Sequence, residues 1–308
     1  MNPDKFKGII IGLALGDALG APHEFKSPTP LKYTGKLEHI ISRYNRFTKE
    51  TTTFPIGIVT DDTEMTMVLL RSIVAHKTYS STDVILKYEQ WAKGAKMMGK
   101  NTRALFKGVT TVKGYQNRYN KIFGTPMTEW TQSNGSLMRC SPFVLFSEYD
   151  NLIIDTKLSN PHPINIECGM LYIYLMRYLT FYDNPPEIDS LFNYAQEPQI
   201  MQVLSDVKNK VVRDISLKSV KGWVITAFYC ALWSIYHIST ATEAYKYFID
   251  QLGDTDTNAA ILGALYGSKY GFNGLYLEQK DNIDLLFKVN SGVLGDLDTI
   301  ISELNIIK

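Results

Sequence analysis

Gly8-Ile9-Ile10-Ile11-Gly12-Leu13-Ala14-Leu15-Gly16-Asp17-Ala18-Leu19-Gly20 carries a glycine at every fourth position of an apolar run. In a helix that spacing puts the four glycines on one face and strips it of side chains, so a second backbone can approach closely. Glycine costs about 1 kcal/mol relative to alanine inside a helix, so its repeated use marks a packing demand. Far along the chain Gly263, Gly267 and Gly271 repeat the spacing, among Ala259, Ala260, Ala264 and Leu265. The two series predict two smooth helical faces in contact, although either alone could pack against other core elements. The run from Ile9 to Leu19 is too short to span a bilayer and holds Asp17, so it reads as a buried helix rather than a secretion signal or an anchor.

Beside these helices lie two acid-and-threonine clusters, Thr60-Asp61-Asp62-Thr63 and Asp254-Thr255-Asp256-Thr257. Carboxylates crowded within a few ångströms raise one another's pKa unless a cation or proton intervenes. Asp oxygens with threonine hydroxyls suit hard divalent ions such as magnesium or manganese. Zinc is disfavoured, because Cys140, Cys168 and Cys230 are far apart and the five histidines have no ligand-like spacing. The plain alternative is that Asp61 and Asp254 only cap helices. Asp61 with Glu64 resembles an Asp-led capping box, and Met65, Val68, Leu69, Ile73 and Val74 continue with helical periodicity.

Helical periodicity dominates elsewhere. Val220, Trp223, Val224, Ala227, Phe228, Ala231, Leu232 and Ile235 form an amphipathic stripe, Ile166 to Leu179 is apolar nearly all round, and no sustained alternation predicts a sheet. Lys26–Pro55 and Tyr182–Ser190 read as irregular. No linker divides the 308 residues, so a single domain over 1–308 is expected. With 32 Lys and Arg against 31 Asp and Glu there is no overall charge to draw the chain to nucleic acid or a membrane. Three scattered cysteines fit free buried thiols in a reducing, cytoplasmic compartment. Eight basic and no acidic residues from Lys93 to Lys121 make either a local positive field or a solvated face.

The turn Ser133-Asn134-Gly135-Ser136 can aim backbone N–H groups at phosphate oxygens, and Arg139 beside it pairs either with phosphate or in a buried salt bridge. At this point the motifs combine. Gly16-Asp17-Ala18-Leu19-Gly20 with Glu24, Thr60-Asp61-Asp62-Thr63, Asn134-Gly135-Ser136-Leu137-Met138-Arg139, and Gly253-Asp254-Thr255-Asp256-Thr257 with Ala259-Ala260 resemble, in that order, the ADP-ribosylglycohydrolase family.

The resemblance implies an all-α fold, a compact single-domain orthogonal helical bundle with a central cleft for two magnesium or manganese ions. It implies hydrolysis of the bond from C1 of a distal ribose to a protein side chain, to another ADP-ribose unit, or to a small leaving group. The partners would be an ADP-ribosylated protein, an ADP-ribose polymer or a small ADP-ribosyl conjugate, met by a monomer with no membrane or direct nucleic-acid contact. Carried over by position, the metal ligands are Thr60, Asp61, Asp62, Asp254, Asp256 and Thr257. Glu24, Asp61 and Asp62 are the candidate catalytic residues, Glu24 as acid, base or gate and the aspartates as metal ligands that position or deprotonate water. Asn134, Gly135, Ser136, Leu137 and Met138, with Gly99, are the candidate substrate-binding residues, and Asp17 is expected to support the first acid loop from behind.

Two positions depart from the family pattern. Met97 and Met98 precede Gly99-Lys100-Asn101-Thr102 where many members have an aspartate, and Ser159-Asn160-Pro161 stands where many have Thr-His before proline. Two further readings stay open at the level of sequence: another binuclear-metal hydrolase such as a phosphoesterase, and a non-catalytic, crystallin-like relative. Retention of all six metal-ligand types argues against the last.

Overall fold

Asn2 accepts a hydrogen bond from the Asp4 amide at 2.8 Å, Pro3 occupies the first helical position, and the apolar run then continues as α1, Pro3–Gly20. The computed structural model describes residues 1–24, 31–45, 49–124, 129–216 and 222–304. After α1 come the hairpin β1 (Ile41–Asn45) and β2 (Glu50–Phe54), then α2 (Asp61–His76), α3 (Ser81–Gly94), α4 (Lys100–Phe106), α5 (Val112–Phe123), α6 (Asp150–Lys157) and α7 (Pro163–Phe181). The remainder is α8 (Ile188–Phe192), α9 (Pro198–Lys208), α10 (Val224–His237), α11 (Ala241–Asp250), α12 (Thr255–Val289), α13 (Ser291–Leu294) and α14 (Leu297–Leu304). The fold is thus all-α with one small hairpin.

The two glycine faces meet. α1 and α12 run antiparallel, with Gly8 against Gly267 and Gly271, Gly12 against Gly263, Gly16 against Ala259 and Ala260, and Gly20 against Thr255. A Cβ on Gly12, Gly16 or Gly20 would overlap the carbonyl facing it. Tyr245 and Thr255 hydroxyls donate to the carbonyls of Gly12 and Gly20 at 2.9 and 2.8 Å, tying the pair to its surroundings. Because the pairing is antiparallel, the end of α1 lies beside the start of α12, and Glu24 is delivered to the second acid cluster. α12 bends at Gly271, whose φ of 71° breaks the helical run.

The main apolar core of the described residues extends from Phe6 to Ile301, with a small second cluster of Ala21, Ile41 and Phe54. α10 departs from its sequence pattern: every residue from Val224 to Ile235 is buried, because α7, α9 and α12 surround what reads as a one-sided stripe. Val220, which opens that stripe, lies outside the described residues. The segment Lys26–Pro55, expected to be irregular, contains the antiparallel hairpin with Ile41 paired to Phe54 and Asn45 to Glu50. Its residues 26–30 and 46–48 lie outside the description. The hairpin escapes the alternation test because Glu50 to Thr53 are all exposed and only Phe54 is buried. The three cysteines are free and buried. Among the described residues no helix is long and apolar enough to cross a membrane.

Candidate active site

The first acid loop is held from beneath by Asp17. Its carboxylate accepts from the Thr60 amide at 2.9 Å, the Thr60 hydroxyl at 2.8 Å, the Thr63 amide at 3.2 Å and the Thr63 hydroxyl at 2.6 Å. Asp17 is fully buried, so its place is behind the loop. The Thr60 hydroxyl also lies 3.1 Å from Asp62 Oδ2, one proton for two carboxylates. Thr60 is the N-cap residue of α2, which corrects the expected Asp61–Glu64 capping box. Asp61 instead accepts from the Gly99 amide at 2.9 Å, and Glu64 accepts from the Trp91 indole N–H at 2.7 Å.

The second acid loop is formed by a tight reversal after α11, where Leu252 and Gly253 both adopt left-handed φ, 65° and 97°. Asp254 precedes the first residue of α12 but makes no side-chain cap; its Oδ2 accepts from the Asn134 side-chain amide at 2.7 Å. Capping therefore does not account for either cluster. Oxygen atoms of Glu24, Asp254 and Asp256 lie within 4.8 Å of one another. Asp61 and Asp62, from the first acid loop, act electrostatically on this group. Two sequence segments almost two hundred residues apart thus converge.

The electrostatics follow from this crowding. Burial pushes Asp17 up to about 6 despite its four hydrogen bonds, and burial with the nearby Asp254 charge pushes Glu24 up to about 7. Asp62 and Asp256 are driven well above the ordinary carboxylate range, by burial first and then by their acidic neighbours. Buried Asp62 Oδ1 has no hydrogen-bond partner. An orphan anionic oxygen among other carboxylates and threonine hydroxyls fits a hard divalent cation. Thr60, Asp61, Asp62, Asp254, Asp256, Thr257 and Glu24 are the residues that could hold one. Sequence reading missed Arg43, which reaches from β1 to pair with Glu24 and also acts on Asp61 and Asp256. No signal in the chain distinguished it, because its position depends on the hairpin register.

The candidate anion loop lies on the other flank. Asn134 donates its amide to the Gly222 carbonyl at 2.9 Å, and Leu137 and Met138 donate theirs to the Asn134 carbonyl at 2.9 and 3.0 Å. The side chains of Leu137 and Met138 lie in the core, Asn134 and Ser136 are buried as well, and Gly135 is half-buried. Arg139 is fully buried; it salt-bridges Asp155 at 3.0 Å and donates to the Gly135 carbonyl at 2.7 Å, bracing the loop. Asn160, in the place of the expected histidine, donates to the Ser133 carbonyl and hydroxyl at 2.9 Å each. Gly99 is exposed at the rim. The eight basic residues from Lys93 to Lys121 are exposed save half-buried Arg118, which donates to backbone carbonyls.

These features define an all-α protein with a carboxylate cluster between two helix starts. The family model described as ADP-ribosylglycohydrolase matches residues 2–296, and the chain belongs to that family. It is 24% identical to the ADP-ribosyl-[dinitrogen reductase] glycohydrolase of Rhodospirillum rubrum, over 97% of this chain and 96% of that one. It is 23% identical to the ADP-ribosylarginine hydrolase Tri1 of Pseudomonas putida (strain GB-1), over 88% of this chain and 72% of that one. A solved structure titled ADP-ribosylglycohydrolase-related protein complex shares the fold, with a TM-score of 0.63, 20% identity, and coverage of 93% of this chain and 98% of that one.

Proposed function

We propose that the protein is a divalent-metal-dependent hydrolase that removes ADP-ribose from modified protein side chains, arginine first among them, by cleaving the C1 glycosidic bond of the distal ribose. The observation that carries this reading is the meeting of Thr60–Thr63 with Asp254–Thr257 and Glu24 in a chain of this family. Two relatives whose names specify ADP-ribosylarginine support the arginine linkage.

Departure of the leaving group builds positive charge on the ribose C1, and the surrounding carboxylates stabilise it. Magnesium or manganese held by Thr60, Asp61, Asp62, Asp254, Asp256 and Thr257 would supply Lewis acidity and orient the ribose hydroxyls. Asp61 and Asp62 position the attacking water and take its proton. Glu24, half-buried and tethered to Arg43, passes a proton to or from the reacting bond. Asn134, Gly135 and Ser136 hold the diphosphate, braced by Arg139 and Asn160. Asp17 touches no substrate and fixes the backbone of Thr60 and Thr63.

The test is incubation with ADP-ribosylated arginine and serine peptides and with poly(ADP-ribose), with and without magnesium or manganese. Free ADP-ribose should appear from the arginine peptide and disappear with chelator. Release of inorganic phosphate or a nucleoside monophosphate instead would assign the cleft to phosphoester chemistry. Asp256→Asn should keep the fold while losing the rise in Tm that manganese produces in the wild type. An undiminished rise would remove Asp256 from the ligand set.

A further inference from the structure

Where α2 leaves the first acid loop is a separate pocket of about 380 Å³, within the range of about 300–1,000 Å³ typical of small-ligand sites. Its walls are apolar, made by Phe54, Ile58, Met97 and the indole of Trp91, and its one acidic side chain is Glu64. Glu64 is half-buried. One of its oxygens is fixed by the Trp91 N–H, and among the described residues it makes no salt bridge. Lys96 stays exposed at the rim, its ammonium 6.0 Å from the Phe54 ring centroid. A carboxylate oriented by a neighbour, set in apolar walls and lacking an ion partner, suits a flat cation that hydrogen-bonds at its edge and is apolar on its faces.

The location says which part of a substrate would arrive there. Glu64 lies one helical turn beyond Thr60. Met97 comes two residues before Gly99, whose amide binds Asp61. From Gly99 the chain continues to Asn101, which donates to Ser133 Oγ at 3.2 Å, and so to the anion loop. The pocket therefore borders the acid cluster at Asp61, and the segment from Met97 to Asn101 joins it to the Ser133 turn. A leaving group on a ribose held at the carboxylates has this pocket next to it on the Asp61 side.

We propose that this pocket is the acceptor subsite, which takes the guanidinium of an arginine side chain with Glu64 accepting its N–H groups and Trp91 lying against its plane. The proposal rests on the hydrolase reading above, but its binding step can be measured without turnover. Agmatine is titrated into the full chain and followed by NMR, with butylamine as the comparison cation. Agmatine should bind more tightly than butylamine. Glu64→Gln should weaken it at least tenfold at unchanged Tm, Glu64→Asp should recover part of the loss, and Trp91→Phe should weaken it as well. In turnover, Glu64→Gln should raise the KM for the ADP-ribosylated arginine peptide at least tenfold while ADP-ribose affinity stays within twofold. Agmatine affinity indifferent to Glu64, or displacement of agmatine by adenosine, would overturn the assignment even if ADP-ribose release proceeds. Conversely, Glu64-dependent agmatine binding without release of ADP-ribose from any substrate would support the guanidinium site and defeat the hydrolase reading.

Discussion

At the scale of the residue, Asp17 illustrates how a buried charge serves a site it does not enter. Burying the carboxylate is costly, yet its removal orphans the amides of Thr60 and Thr63 and the Thr63 hydroxyl, while the Thr60 hydroxyl keeps Asp62. Each orphaned group costs about 1–3 kcal/mol, and together they outweigh the relief of the buried charge. Asp17→Ala should therefore destabilise the protein by about 2 kcal/mol in urea unfolding and abolish the manganese-induced rise in Tm, because the loop loses its shape. A variant of wild-type stability would mean that the four hydrogen bonds contribute nothing net. Arg139 is legible only as a pair: Arg139→Met leaves Asp155 buried without its partner and should cost about 3–5 kcal/mol.

At the scale of the element, the α1–α12 pair depends on the absence of side chains. An alanine in place of glycine inside a helix ordinarily gains about 1 kcal/mol. At Gly12 the added Cβ collides with the Gly263 carbonyl, and overpacking of about 1–3 kcal/mol or more reverses the sign. Gly12→Ala should lower Tm, whereas Gly292→Ala in α13, with nothing near its Cβ position, should hold or raise it. Equal effects at the two glycines would show that close approach is not what holds these helices. The same pairing was readable from the four-residue glycine spacing. The hairpin was not, because its second strand is exposed almost throughout and has no buried face to impress a period of two on the sequence.

At the scale of the whole molecule, six carboxylates converge with Arg43 as a cation among them. Asp17 and Glu24 move from 3.8 and 4.5 to about 6 and about 7, so between those limits the folded chain binds more protons than the unfolded one. Stability from these groups is then greatest at the acidic end and falls as pH rises through the folded values. In chelator, Tm should be higher near pH 5.5 than near pH 7.5, and manganese should narrow that difference by neutralising the same oxygens. A metal-free Tm that rises over this interval would contradict the clustering.

The chain by itself determined a great deal: the helical class, the two glycine faces, and both acid segments with their threonines, because helix period and residue chemistry are local properties written in order. The turn at Asn134–Ser136 and the buried place of Asp17 were also within reach, since each sits in a compact motif. Only the tertiary structure decided that Glu24 joins Asp254 and Asp256, that Arg43 reaches them, that Asn160 and Arg139 brace the anion loop, and that Glu64 faces Trp91 rather than capping α2. Those contacts join residues whose proximity comes from helix crossings and hairpin register, and no local spacing encodes the distance between segments that meet only when the core closes.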